Sequence, residues 1–185
     1  MPKADQIRAA WTEIAIRSDM TELPVSNGPN PKQTLLQEIV ALREATGTPL
    51  SDFNSFLMAL LISDPSIAGT LRSNGKFTVL MPTDAAFNAL GATIIDLDDG
   101  GGFLTEILRY HILRGKHSHA DILAATELKT LLGGESITIS ESGDPLVDNI
   151  GRTAKFVDGE TDIEVTNGVI HIIDAVLFHE APPED

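Results

Sequence analysis

His117-Ser118-His119, followed by Asp121 and preceded by His111, is the densest run of metal-ligating side chains in the chain. Imidazole and carboxylate are zinc-type ligands. Alternate residues on an extended segment would point the two imidazoles the same way. Ser118 and Asp121, however, have the spacing of a helix N-cap and its reciprocal partner, which would divide His117 and His119 between loop and helix. Surface histidines are the simpler reading. Asp96, Asp98 and Asp99 have the composition of a calcium loop, but the spacing is wrong and the bidentate Glu of such loops is missing. No metal and no cofactor is assigned. Catalytic signatures are equally thin. There is no Gly-x-Ser-x-Gly elbow, no phosphate-cradling glycine loop and no His-Glu-x-x-His. Among 27 acidic residues some pair of carboxylates always looks usable, so none is singled out and no enzymatic activity is expected.

Composition narrows the classes further. The chain of 185 residues carries 27 acids against 13 bases, a formal charge of −14. Phosphates are held by Lys and Arg, so a surface this acidic disfavours nucleic acid and anionic membrane faces. A hydrophobic content of 42% suffices for a core, while 5% aromatics leaves aliphatic side chains to fill it. With no cysteine, disulfides, thiolate metal sites and thiol nucleophiles are excluded. No stretch has the length of a membrane span, and Met1 to Gln6 lacks the apolar run of a signal peptide.

The elements that would position these residues divide into helices first and strands after. Ile7, Ala10, Trp11 and Ile14 lie at helical spacing. Asn30, Pro31 and Gln33 then have the pattern of a cap for a helix Gln33–Ala45 carrying Leu35, Leu36, Ile39, Val40 and Leu42. Residues 1–48 thus read as a helical extension whose apolar stripes need a partner, in cis or in trans, with Trp11 as a candidate anchor for self-association. Phe53, Phe56, Leu57, Leu60 and Leu61 mark a core helix. A short helix 66–71, a buried strand Phe77–Met81, and helices after Thr83, over Phe103–Leu113 and after Ser118 follow. Beyond Thr126 come short β-branched segments at 128–132, 136–140, 146–149, 154–157, 162–166 and 169–178. Helices before strands without βαβ alternation is an α+β pattern, with the main domain over 49–180 and an acidic tail at 181–185.

Three segments, in order and spacing, resemble the fasciclin domain family. They are Phe77-Thr78-Val79-Leu80-Met81-Pro82-Thr83-Asp84-Ala85-Ala86-Phe87, Tyr110-His111 with Gly115 after it, and Thr166-Asn167-Gly168-Val169-Ile170-His171-Ile172-Ile173-Asp174-Ala175-Val176-Leu177. The resemblance stops before Thr48. It implies a β-sandwich or wedge of two small sheets with a helical layer, and a non-enzymatic module of adhesion or binding. The partner would be a protein or glycan, in an extracellular or surface setting. Some algal members carry carotenoids, so a carrier of a small apolar ligand is a second reading. A structural part of a virion or surface assembly, docked through residues 1–48 as a homo-oligomer, is a third.

The resemblance also marks residues. Tyr110-His111 matches a motif linked to adhesion in animal members, and Asp162-Ile163 stands where the family has an adhesive Asp-Ile pair. Its flanks differ, with Thr161 in place of a proline and Glu164 in place of a methionine. The remaining motif residues have a structural rationale. Thr83 and Asp84 can satisfy orphan helix N–H groups, Asn167-Gly168 is a hairpin signal, and His171 in an aliphatic strand must be hydrogen-bonded.

Overall fold

The computed structural model describes residues 34–44, 54–91, 94–97, 102–140 and 145–181. Trp11, the Asn30–Gln33 cap and the acidic residues Asp98 and Asp99 lie outside them. In chain order the elements are α1 (Leu35–Glu44), α2 (Asn54–Ile62), α3 (Pro65–Arg72), β1 (Phe77–Pro82), α4 (Asp84–Asn88), α5 (Ile94–Leu97), α6 (Phe103–Tyr110), β2 (Ile112–Arg114), α7 (His119–Ala124), β3 (Glu127–Lys129), β4 (Ser136–Ile139), β5 (Leu146–Val147), β6 (Thr153–Ala154), β7 (Ile163–Val165) and β8 (Gly168–Ile173).

Two four-stranded sheets form, ordered β2-β1-β8-β7 and β3-β4-β5-β6. In the first, β1 runs parallel to β8, with Leu80 opposite His171, while β2 and β7 flank them antiparallel. The pleat sends alternate side chains of this pair to opposite faces. Val79, Met81, Ile170 and Ile172 meet the helical layer, whereas Leu80 and Ile173 meet Leu128, Ile137 and Leu146 of the second sheet. Both faces are covered, which is why β1 and β8 read as largely apolar runs, interrupted only by the buried polar residues Thr78 and His171. The expected α+β arrangement of two small sheets and a helical layer is what the chain adopts.

Three local expectations change. The helix expected through Leu113 ends at Tyr110, because Ile112 and Leu113 pair as β2 with Val79 and Thr78. The first described helix is capped by Thr34, whose N–H donates to Gln37 Oε1 at 2.9 Å, so its start lies after the expected Asn30 cap. That helix also does not stand apart. Leu35 and Ile39 are fully buried, and with Leu36 and Val40 they belong to the helical core. Residues 35–40, expected outside the recognised domain, are therefore part of its interior, and this apolar stripe docks in cis. The side chain of Leu42 lies outside the described ones.

Candidate functional site

The motif at the end of β1 is a double cap. Thr83 Oγ1 accepts the Ala86 N–H at 3.1 Å and starts α4. Asp84 caps a different helix, its carboxylate accepting the backbone N–H groups of Ser55 at 2.7 Å and Asn54 at 3.3 Å. A carboxylate on the first-turn amides of α2 suits the positive end of that helix. The β7–β8 hairpin closes through Thr166-Asn167. Asn167 is buried, with Oδ1 accepting the Leu35 N–H at 2.7 Å and Nδ2 donating to the carbonyls of Leu71 and Ser73, each at 2.8 Å. Gly168 is needed for close approach. A Cβ there would lie 2.0 Å from the Phe77 carbonyl oxygen.

Tyr110 and His111 are both buried. The phenol donates to the Ser136 carbonyl at 2.8 Å, and burial, reinforced by the Asp148 charge, pushes its pKa above the ordinary value. His111 Nδ1–H donates to the Ile107 carbonyl at 2.8 Å and its Nε2 accepts the Leu177 N–H at 3.1 Å. Burial lowers its pKa to about 4, so the ring is neutral. The pair thus ties α6 to the second sheet and to the C-terminal segment. As placed, neither side chain offers a surface to a partner.

His171 is buried as its setting required. Nε2–H donates to the His117 carbonyl at 2.8 Å, and Nδ1 accepts the Asp162 N–H at 3.1 Å. Burial is the main cause that lowers its pKa. Asp162 has φ 55°, the one positive value outside glycine among the described residues. Its carboxylate accepts the His119 N–H at 2.9 Å, at the start of α7. Ile163 is buried in the helical core. Glu164, beside it, is exposed and pairs with Lys116 Nζ at 2.9 Å. The Asp162-Ile163 pair therefore serves a turn, a helix start and the core.

The histidine run does not converge. His117 Nε2–H donates to the Arg114 carbonyl at 2.8 Å. His119 stands edge-on to Phe156 with centroids 4.6 Å apart, and Ser118 and Asp121 form the expected capping box. A different set does gather: His179 Nε2 is 3.1 Å from Glu106 Oε2 and 3.6 Å from Glu180 Oε1. Nothing in the spacing of these residues signals it, since Glu106 comes from α6 and the others follow β8. The set has cation-ligand types, yet His179 Nδ1 is buried without a hydrogen-bond partner. A metal-bound imidazole normally donates that second N–H to an acceptor, so the geometry is that of a hydrogen-bonded histidine–carboxylate contact.

A polar groove of about 560 Å³ opens between α3, the end of α6 and the end of β2. Arg109, Arg114, Ser66 and Thr70 line it beside Phe77 and Leu131. A wall with two guanidinium groups suits a polar ligand better than a carotenoid-like one.

Comparison with known proteins agrees with this architecture. The family model described as Fasciclin domain matches residues 51–179. Immunogenic protein MPB70 of Mycobacterium bovis is 31% identical over 155 residues, 83% of this chain and 76% of that protein. Cell surface glycolipoprotein MPB83 of the same species is 32% identical over 181 residues, 97% of this chain and 75% of that protein. That likeness extends into the first 48 residues, beyond the segment that carries the motifs. Stabilin-2 of Mus musculus is 36% identical over 107 residues, 58% of this chain and 4% of that protein. Among solved structures, the FAS1 domain pair of the insect cell adhesion molecule Fasciclin I superposes with a TM-score of 0.53 at 21% identity. The match covers 66% of this chain and 43% of that one.

Proposed function

We propose that this chain, which belongs to the fasciclin domain family, is a non-enzymatic binding module of a cell surface or extracellular space that recognises a protein or glycan. One observation carries the reading. The side chains best suited to chemistry are engaged in holding the fold together: Tyr110, His111 and His171 through buried hydrogen bonds, Asp84 and Asp162 as helix caps. A catalytic base or nucleophile has to be free to reach a substrate; Tyr110, His111 and His171 are buried, and the carboxylate of exposed Asp162 is occupied by the His119 N–H. What is left for function is the outer surface. The names of the relatives point the same way, one being a cell surface glycolipoprotein and another an insect cell adhesion molecule.

The test is retention of the full chain on immobilised extracellular-matrix proteins and on a glycan array, with its mass followed by light scattering. Saturable retention on a defined protein or glycan supports the module. Absence of retention on both, with the chain monomeric at every concentration, would overturn it.

A further inference from the structure

We infer that the groove between α3, α6 and β2 is a binding site for a sugar acid, a uronate unit whose carboxylate is held by Arg109 and Arg114. The inference rests on the glycan branch of the function proposed above and gives it a place and a chemistry. The charge at the groove is the first ground. The chain has 27 acids and 13 bases, yet the groove lining holds two arginines and no Asp or Glu. Arg109 is pre-set by Nη2, which donates to Ser66 Oγ at 3.2 Å and to Asp64 Oδ2 at 3.3 Å. Both side chains of that ion pair are well exposed, so it gains little and leaves the other donors of the guanidinium available. Arg114, at the end of β2, pairs with no carboxylate among the described residues. Guanidinium forks suit planar carboxylates.

The hydroxyls supply the second ground. Thr70 donates its hydrogen to the Ser66 carbonyl at 2.9 Å, and Ser73 donates to the Thr70 carbonyl at 2.8 Å. Each hydroxyl has one hydrogen and two lone pairs; Ser73 Oγ also accepts the Gly75 N–H at 3.3 Å, so each oxygen keeps at least one lone pair as an acceptor. A complementary ligand therefore carries a carboxylate for the arginines and O–H donors for Thr70 and Ser73. A polyhydroxylated carboxylate has both, whereas an inorganic oxyanion such as sulfate has no donors. Phe77, Ile67 and Leu131 add apolar wall for the C–H face of a sugar ring. A volume of 560 Å³ falls within the range of small-molecule sites, so the groove suits one or two rings better than an extended peptide.

The test is titration of the full-length protein, labelled with nitrogen-15, against sodium D-glucuronate, D-glucose, sodium sulfate and a short Asp-rich peptide at matched ionic strength. Glucuronate should shift the Gly69, Thr70 and Ser73 amides saturably, with Kd on the order of 1 mM, as a modest ligand efficiency gives for a monosaccharide. Glucose should leave them in place. Arg114→Gln, on an exposed side chain, should keep the wild-type melting temperature and weaken glucuronate at least tenfold. No saturable shift, an equal response to sulfate, tighter binding of the peptide, or indifference to Arg114→Gln would each overturn the site. If glucuronate fails while the full chain is still retained on a matrix protein, the groove assignment falls and the binding-module reading stands. If retention fails on matrix proteins and glycans alike and the chain is monomeric at every concentration, both fall.

Discussion

The amide of Leu35 donates to Asn167 Oδ1 at 2.7 Å, across 132 residues of chain. The same side chain holds the carbonyls of Leu71 and Ser73, and its backbone carbonyl accepts the Phe77 N–H at 3.1 Å. One hairpin residue thus fixes the start of α1, the end of α3 and the start of β1.

Replacing Asn167 with Ala should leave one buried donor and two carbonyls without their partner. The expected loss is about 3 kcal/mol or more. Asn167→Asp should be worse despite its shape, because a carboxylate would face two carbonyl oxygens. Urea unfolding of both variants measures this, and a loss under about 1 kcal/mol for either would show the clamp to be dispensable.

Removing residues 1–48 deletes Leu35, Leu36, Ile39 and Val40, all buried in the helical core. At about 1.5–3 kcal/mol for each of these aliphatic side chains, the loss approaches the whole stability of a typical domain, about 5–15 kcal/mol. The chain from residue 49 onward should therefore lack a cooperative thermal transition, contrary to what its motif content suggests. A truncated protein melting like the full chain would refute this.

Gly168→Ala tests the β1–β8 register. Its Cβ would meet the Phe77 carbonyl oxygen at 2.0 Å and the Leu35 side chain at 3.0 Å. Backbone cannot yield as a flexible side chain can, so β8 would have to leave β1, the strand it borders over Phe77–Pro82. Little folded protein should be recovered, by circular dichroism and by soluble yield. A stable, native-like alanine variant would mean that the strands can separate locally without cost.

Much of this was legible in the chain. The Thr83 cap, the Ser118–Asp121 box, the hairpin before β8 and the burial of His171 all rest on neighbours within a few residues or on a clear apolar period. What was not legible depends on distant partners. Asp84 has the local pattern of a cap for its own helix, yet its carboxylate goes to Asn54 and Ser55. Ile112 and Leu113 continue the apolar pattern of α6, and only the edge offered by β1 turns them into a strand. The stripe on α1 showed that it needed a partner but not which one, since Asn167 and Leu71 are remote in sequence. The groove was invisible for the same reason: Arg109 and Arg114 belong to different elements and meet α3 only in the fold.

The pH dependence of stability follows from the buried histidines, and its sign is fixed by them. His111 has its pKa lowered to about 4 in the folded chain, while an exposed imidazole in the unfolded chain titrates near 6.5. Between these values the unfolded state binds more protons, so stability falls as the solution is acidified. Its contribution is complete above about pH 6.5 and lost by about pH 4, on the order of 3 kcal/mol for the one group. His171, also lowered by burial, acts in the same direction. Acidification simultaneously relieves the repulsion of a chain at −14, which opposes the loss, so wild-type behaviour alone is ambiguous. Comparison with His111→Gln removes the ambiguity. The variant will be less stable at pH 7, since the Ile107 and Leu177 groups lose ideal partners, but its stability should fall less steeply between pH 6.5 and 4.5. Parallel slopes in the two proteins, measured by urea unfolding at each pH, would show that His111 is not the group that titrates.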